Sequence, residues 1–212
     1  MLSYFHAMSR PTPNTFLFDL AGVLIRWNAT PLYLQLFDGN QAAVNHFFGE
    51  VFTADYQNEI SKGRPTLDVI AELTELHPAH RIPLQAWWQR WPELIGSFDD
   101  TVAIARRLHA GGHRIFILGN WGREEFDRAR QMYDFLDEFD GAVISGDVGA
   151  MKPESAIYRT AIERLDLLPE HTLFIDDRGE NVDAAKQHGF LGHVFEHPEG
   201  LARCLSGLSV QY

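Results

Sequence analysis

Phe16-Leu17-Phe18-Asp19-Leu20-Ala21-Gly22-Val23-Leu24 carries three apolar residues straight into one carboxylate and then into a short loop with a glycine. An apolar run of this kind is a buried strand, and it delivers Asp19 to the strand's carboxyl end, where ligands bind in open α/β sheets. An acid there sits on a rigid element and faces the ligand. Three roles fit it: a nucleophile, a metal ligand, or the cap of a following helix.

Three later segments repeat the layout of an apolar run, polar residues and a helix. Arg114-Ile115-Phe116-Ile117-Leu118 leads into Gly119-Asn120-Trp121. Gly141-Ala142-Val143-Ile144 leads into Ser145-Gly146-Asp147, with Lys152-Pro153 soon after, and Thr172-Leu173-Phe174-Ile175 leads into Asp176-Asp177. Parallel strands joined by helices put all these ends along one sheet edge. The fold expected is α/β, a Rossmann-like parallel sheet bringing an Asp, an Asn, a Lys and an Asp pair to one place.

This ordered set resembles the haloacid dehalogenase superfamily of hydrolases. Within it, the chain is similar to the phosphatase-like branch whose first motif reads Phe-Asp-Leu-Gly-Gly-Val-Leu. Lys152-Pro153-Glu154-Ser155-Ala156-Ile157-Tyr158 and Phe174-Ile175-Asp176-Asp177 carry the likeness most specifically, and it extends from Thr15 to about Leu205.

The resemblance implies an aspartyl-phosphate mechanism with Mg²⁺ as cofactor. By it, Asp19 is the nucleophile and a metal ligand, and Lys152 pairs with Asp19 and the phosphate. Asp177 and the backbone carbonyl of Ala21 bind the metal, and Asp176 orients the site or binds through water. Asn120 donates to the phosphate, with Gly119 and Trp121 beside it on the substrate side. A carboxylate attacking a phosphate ester meets about 4 kcal/mol of repulsion at ~4 Å and an effective dielectric of 20, so compensating positive charge is required. Mg²⁺ takes hard oxygen ligands, which suits this set.

Two positions depart from the family pattern. Ala21 stands where a general acid is usual and has no proton to give, and general acid catalysis is typically worth ~10²–10⁴-fold. Gly119 stands where Ser or Thr would offer a hydroxyl to the phosphate. The missing acid points to a substrate with a good leaving group, such as an anomeric sugar phosphate. Arg178, after the acid pair, replaces a usually small residue and either adds to anion binding or makes a surface salt bridge, the second reading slightly favoured. Asn181 and Asp183 start the next helix as supports or caps.

Between Asp19 and Arg114 lie roughly ninety residues, whereas a whole βαβ unit needs about thirty. Residues 28–97 read as a helical cap inserted into a core of residues 15–27 and 98–212, after an N-terminal extension of residues 1–14. Helices are expected over Pro31–Phe37, Asn40–Phe48, Thr53–Ile60, Thr66–His77 and Pro83–Ile95. Leu67, Ile70, Ala71 and Leu73 follow helical spacing, and Gly63-Arg64-Pro65 breaks one helix from the next. Trp87 and Trp91, four apart, read as packing of the cap's own core, with Trp27 and Trp121 as cavity-wall candidates.

The chain of 212 residues has a formal net charge of −11 and no basic run, which disfavours nucleic acid as a partner. No stretch reads as a signal peptide or a membrane span. One cysteine, Cys204, permits no intrachain disulfide and reads as a thiol on a helix face. A cytoplasmic location is the expectation. The ten histidines show no dependable ligand spacing, so no zinc site is assigned. The function expected is a Mg²⁺-dependent phosphatase acting on a small phosphomonoester. The alternatives are a 2-haloacid dehalogenase, whose Asp-x-Tyr-Gly-Thr pattern is absent, and a weakened member that binds an anion or a partner. The sequence leaves the oligomeric state open.

Overall fold

The computed structural model describes residues 12–212. Most of the expected N-terminal extension therefore lies outside the described residues. Its last residue, Asn14, is already tied to the sheet edge, its amide donating to the His171 carbonyl at 3.1 Å.

The chain enters through β1 (Thr15–Phe18) and turns into β2 (Ile25–Trp27). A helical excursion follows: α1 (Thr30–Leu36), α2 (Gln41–His46), α3 (Ala54–Ser61), α4 (Thr66–Leu76) and α5 (Arg81–Gln89). It returns through β3 (Ile95–Ser97), α6 (Asp99–Ala110), β4 (Arg114–Gly119), α7 (Arg123–Met132), β5 (Gly141–Ile144) and the short α8 (Ser145–Val148). The chain closes with α9 (Ser155–Arg164), β6 (Thr172–Asp176), α10 (Gly179–Gln187), β7 (Leu191–Val194) and α11 (Pro198–Gly207).

Five strands form one parallel sheet in the order β5-β4-β1-β6-β7. The apolar runs are continuous because both sheet faces are covered. Side chains alternate across the pleat. Phe16, Phe18, Ile115, Ile117, Leu173 and Ile175 face the layer of α6 and α11. Leu17, Phe116, Leu118, Val143 and Phe174 face α9 and α10. Helix α6 starts on Asp99 and Asp100 and stops before Gly111 and Gly112, as its acids and glycines predict. Helix α11 holds Cys204 half-buried on its flank. Among the described residues, no helix is long and apolar enough to cross a membrane.

The expected helix over Pro83–Ile95 ends early. Pro92 lacks an amide hydrogen and breaks the helical ladder, so α5 stops at Gln89 and a tight turn leads into β3. Strand β3 then pairs antiparallel with β2, Arg26 opposite Gly96, and this ribbon binds together the two chain crossings between core and excursion. The helix expected over Asn40–Phe48 also changes character. After His46 the chain widens into a π-helical turn over Phe47–Val51, where the Phe52 amide reaches the Phe47 carbonyl at 2.8 Å. That spacing buries both Phe47 and Phe52 on one side.

Helices α1–α5 share an aromatic core with the sheet. Burying each such large side chain contributes roughly 1.5–3 kcal/mol before entropy is counted. Polar ties hold them over the carboxyl edge of the strands. The Ser145 hydroxyl donates to the Ser61 carbonyl at 2.5 Å, and Lys62 pairs with Glu154 at 2.7 Å. The Arg128 guanidinium lies 4.3 Å above the Trp88 ring and donates to the Trp88 carbonyl.

Candidate active site

Parallel pairing of β1 with β6 runs Phe18 beside Ile175 and carries Asp19 and Asp176 to the same edge, where the Asp19 amide donates to the Ile175 carbonyl at 2.9 Å. Lys152, from the loop after α8, reaches between them. Its Nζ lies 2.6 Å from Asp19 Oδ1 and 2.7 Å from Asp176 Oδ2, and the three side chains are almost wholly buried. Removing a charge from water is costly unless it is paired and hydrogen-bonded, and each charge here is. Asp19 Oδ1 also accepts from the Leu20 amide at 2.6 Å.

Asp176 is encircled by donors. Its Oδ1 accepts from the Arg178 amide at 2.9 Å, and the Asn181 side-chain amide bridges both carboxylate oxygens at 2.9 and 3.1 Å. Its oxygens are thus committed to orienting Lys152 and the loop after β6. Asn181 is part of the site, whereas Asp183, two residues on, pairs outward with Lys186. The Arg178 side chain pairs with Glu180 at the surface, in line with the ion-pair reading, although its backbone and stem border the cavity.

Asp177 stands exposed at the rim and completes a cluster with Asp19 and Asp176. Among the described residues this is the group whose carboxylate oxygens, all within 4.8 Å of one another, could share a metal ion. Gly22 permits the approach. It adopts a positive φ of 87°, and a Cβ there would collide with the Asp177 carboxylate. The amides of Val23, Leu24 and Ile25 all turn to the Leu20 carbonyl, and none of the turn's backbone hydrogen bonds ends on the Ala21 carbonyl.

Three carboxylates against one ammonium leave an excess of negative charge. Burial pushes the Asp19 carboxyl up to about 7 despite the opposing pull of Lys152, and Asp176 adds to the rise. Burial and then Asp176 likewise raise Asp177. A hard divalent cation fits this oxygen set by chemistry and by charge.

Asn120 lines the cavity and is tied to the Lys152 backbone. Its Nδ2 donates to the Lys152 carbonyl at 2.9 Å, and its Oδ1 accepts from the Lys152 amide at 2.8 Å. The side chain clamps the backbone that carries the lysine. At Gly119 a Cβ would stand 2.8 Å from Leu20 Cδ1, so a larger residue there must displace the fully buried Leu20. The missing hydroxyl is coupled to the packing behind Asp19.

Asp19, Asn120, Lys152, Asp177 and Asn181 form the floor of a cavity of about 520 Å³. Trp27, Trp87, Trp91 and Trp121 wall it, their rings meeting mostly edge-to-face: Trp27 and Trp87 centroids are 5.3 Å apart, Trp91 and Trp121 5.6 Å. Trp87 and Trp91 therefore pack the interior and line the cavity at once, beyond the core role read from their spacing. Trp88 points to a different groove. The excursion adds Gln57, Asn58 and Ile60. Glu125, which sequence reasoning missed, also lines the wall, buried, with Oε1 bonded to the Thr66 hydroxyl. Its only signal in the sequence was that of an acid in a helix's first turn.

The family model for haloacid dehalogenase-like hydrolases matches residues 13–189. A sesquiterpene phosphatase, astK, of Aspergillus oryzae is 24% identical over 191 residues, which is 89% of this chain and 92% of that protein. The pyrophosphatase PpaX of Bacillus mycoides is 24% identical over 83% of this chain and 80% of its own length. Among solved structures, the HAD family enzyme bt-2542 of Bacteroides thetaiotaomicron, in complex with magnesium and inorganic phosphate, superposes with a TM-score of 0.69 at 18% identity, covering 87% of this chain and 94% of that one. The L-2-haloacid dehalogenase of Xanthobacter autotrophicus superposes with a TM-score of 0.63 at 16% identity, covering 92% and 83%.

Proposed function

The chain belongs to the haloacid dehalogenase-like hydrolases, and from that premise we propose that it is a Mg²⁺-dependent phosphatase of a small phosphomonoester with an apolar body. One observation carries the reading: Asp19, Asp176 and Asp177 crowd one another around the buried Lys152, at the floor of an aromatic cavity. Dehalogenation needs no cation and gives no reason to gather three carboxylates. The likeness to a sesquiterpene phosphatase and the tryptophan walls support an apolar body over the sugar phosphate that the missing acid first suggests.

Asp19, Asp177 and the Ala21 carbonyl would hold Mg²⁺, with Asp176 fixing the loop behind them. When bound, the cation neutralises charge on the phosphoryl oxygens and lowers the Asp19 carboxyl toward its ionised form. Asp19 attacks phosphorus, the bond from phosphorus to the ester oxygen breaks, and the ester oxygen leaves as an alkoxide that takes its proton from solvent water to give the alcohol. Water then hydrolyses the aspartyl-phosphate, releasing inorganic phosphate and restoring Asp19. Lys152 keeps Asp19 aimed and meets the incoming anion. Asn120 acts chiefly by holding Lys152, and Trp121 borders the substrate, whereas Gly119 packs behind Asp19 and lies outside the cavity lining. Ala21 offers the leaving oxygen no proton, so esters whose alcohols leave readily turn over fastest. A cytoplasmic setting accompanies this reading.

The test is phosphate release from a panel of esters, with 2-chloropropionate as the contrasting substrate. Release that stops with a chelator, returns with MgCl₂ and is lost in Asp177→Ala is the expected result. Halide release, or activity indifferent to both treatments, overturns the reading.

A further inference from the structure

One carboxylate oxygen in the aromatic wall has no hydrogen-bond partner among the described residues. Glu125 is 5% exposed and lines the cavity, yet only its Oε1 is engaged, by the Thr66 hydroxyl, while Oε2 bonds to nothing. Room for Oε2 is made on purpose by the backbone. Gly122 lies directly beneath it, and a Cβ at that position would collide with Oε2 and crowd Ile60 Cγ2 at 3.1 Å. Two more buried polar atoms of the lining are likewise unpartnered, the indole nitrogens of Trp87 and Trp91. Buried groups left unpaired are costly, so an acceptor and two donors without partners in residues of one cavity wall are matched to a ligand that reaches and completes them.

We propose that Glu125 is a specificity residue, whose free Oε2 bonds a hydroxyl carried on the apolar body of the phosphate ester. A hydroxyl both donates and accepts. It can therefore give its hydrogen to Oε2 and take one from an indole N–H, and it fits Glu125 in either protonation state. An ammonium fits only the ionised carboxylate, and a plain hydrocarbon fits neither. The substrate class is a hydroxylated apolar phosphomonoester. Placing the phosphate end at Asp19 rests on the phosphatase reading; the pairing of Glu125 with the body does not depend on turnover.

The experiment uses plain alkyl, ω-hydroxyalkyl and ω-aminoalkyl phosphates of four to ten carbons. Binding is followed by tryptophan fluorescence in the full-length Asp19→Asn protein with MgCl₂, which does not consume the ester, and kcat/KM is measured in the unaltered protein. At the chain length that reaches Glu125, the ω-hydroxy ester should bind about 10- to 100-fold more tightly than its plain counterpart, the range expected of a hydrogen bond to a charged group. Glu125→Leu should bring that ratio to near one, Glu125→Gln should keep a smaller preference of about 2- to 10-fold, and Thr66→Val should keep it in full. If Glu125→Leu does not fold, Glu125→Ala decides. No preference at any length, a preference that survives Glu125→Leu, or tightest binding of the amino ester overturns the proposal. Selective binding without hydrolysis of any ester would remove the phosphatase reading and leave this one standing.

Discussion

The floor and the wall of the cavity are built on opposite terms. On the floor, Asp19, Lys152 and Asp176 are buried and bonded to one another, and Asn120 and Asn181 hold two of them in place. In the wall, Trp87, Trp91 and Glu125 are equally buried but keep polar atoms without partners. A floor of satisfied charges is pre-organised, so its geometry does not wait for the substrate. A wall with open hydrogen-bonding capacity is completed only by what enters. The contrast sets a floor fixed by the sheet against a wall shared between the helical excursion, which carries Trp87 and Trp91, and α7, which carries Glu125.

The sharpest way to break this division is Asp19→Asn. If Asp19 is the nucleophile proposed above, turnover should fall by at least about 10⁴-fold, since an amide does not replace it, while ester binding persists. The same change tests the electrostatics of the floor. The folded carboxyl is raised to about 7 from 3.8, so Asp19 destabilises the fold fully above that value and not at all below the unfolded one. Asp19→Asn should therefore raise Tm at about pH 8, with the gain fading as the pH falls toward 4. Thermal melts across that range check the sign.

Lys152→Met comes next. It leaves Asp19 and Asp176 facing each other, buried and without their cation, at an expected cost of about 3–5 kcal/mol. Urea unfolding measures it. A loss below ~1 kcal/mol would mean that the floor is hydrated and not the tight ion pair described above.

Ala21→Asp probes where floor meets leaving group. A carboxyl two residues beyond Asp19 should speed release from alkyl phosphates by about 10²-fold and change activated aryl phosphates little, because only poor leaving groups need the proton. An equal effect on both classes would show that position 21 does not face the leaving oxygen.

How much was legible in the sequence follows the same line. Each floor residue sits at the end of an apolar run or in a short stretch beside one, so strand periodicity and motif order place Asp19, Lys152, Asp176 and Asp177 together. Asn120 was legible as a site residue but not as a clamp, because its partner lies 32 residues away in the Lys152 backbone. The wall was read poorly because its contacts join distant segments. Trp87 and Trp91, four apart on helical spacing, look the same whether they pack a core or line a cavity. Glu125 looks like any acid favoured by a helix dipole, until Thr66, 59 residues away, takes one of its oxygens. Pro92 carried the signal that ends α5, yet nothing local said that Ile95–Ser97 would pair with β2.

The smallest effect belongs to the wall and distinguishes its carboxyl from those of the floor. Burial raises the Glu125 carboxyl above its ordinary value, with the Thr66 hydroxyl opposing and Glu124 adding to the rise. The sign is that of Asp19: the ionised form is disfavoured in the folded chain, so stability falls as the pH climbs from the unfolded pKa through the folded one. Glu125→Gln preserves shape and hydrogen-bonding capacity without the charge. It should raise Tm slightly at about pH 8 and leave it unchanged at about pH 4. Adding an ω-hydroxyalkyl phosphate should narrow the difference between Glu125→Gln and the unaltered protein at high pH, since the hydroxyl then solvates the carboxylate. A difference that ignores the ester would place the free oxygen of Glu125 outside the reach of the bound body, and would turn the wall from a reader of substrate into plain packing.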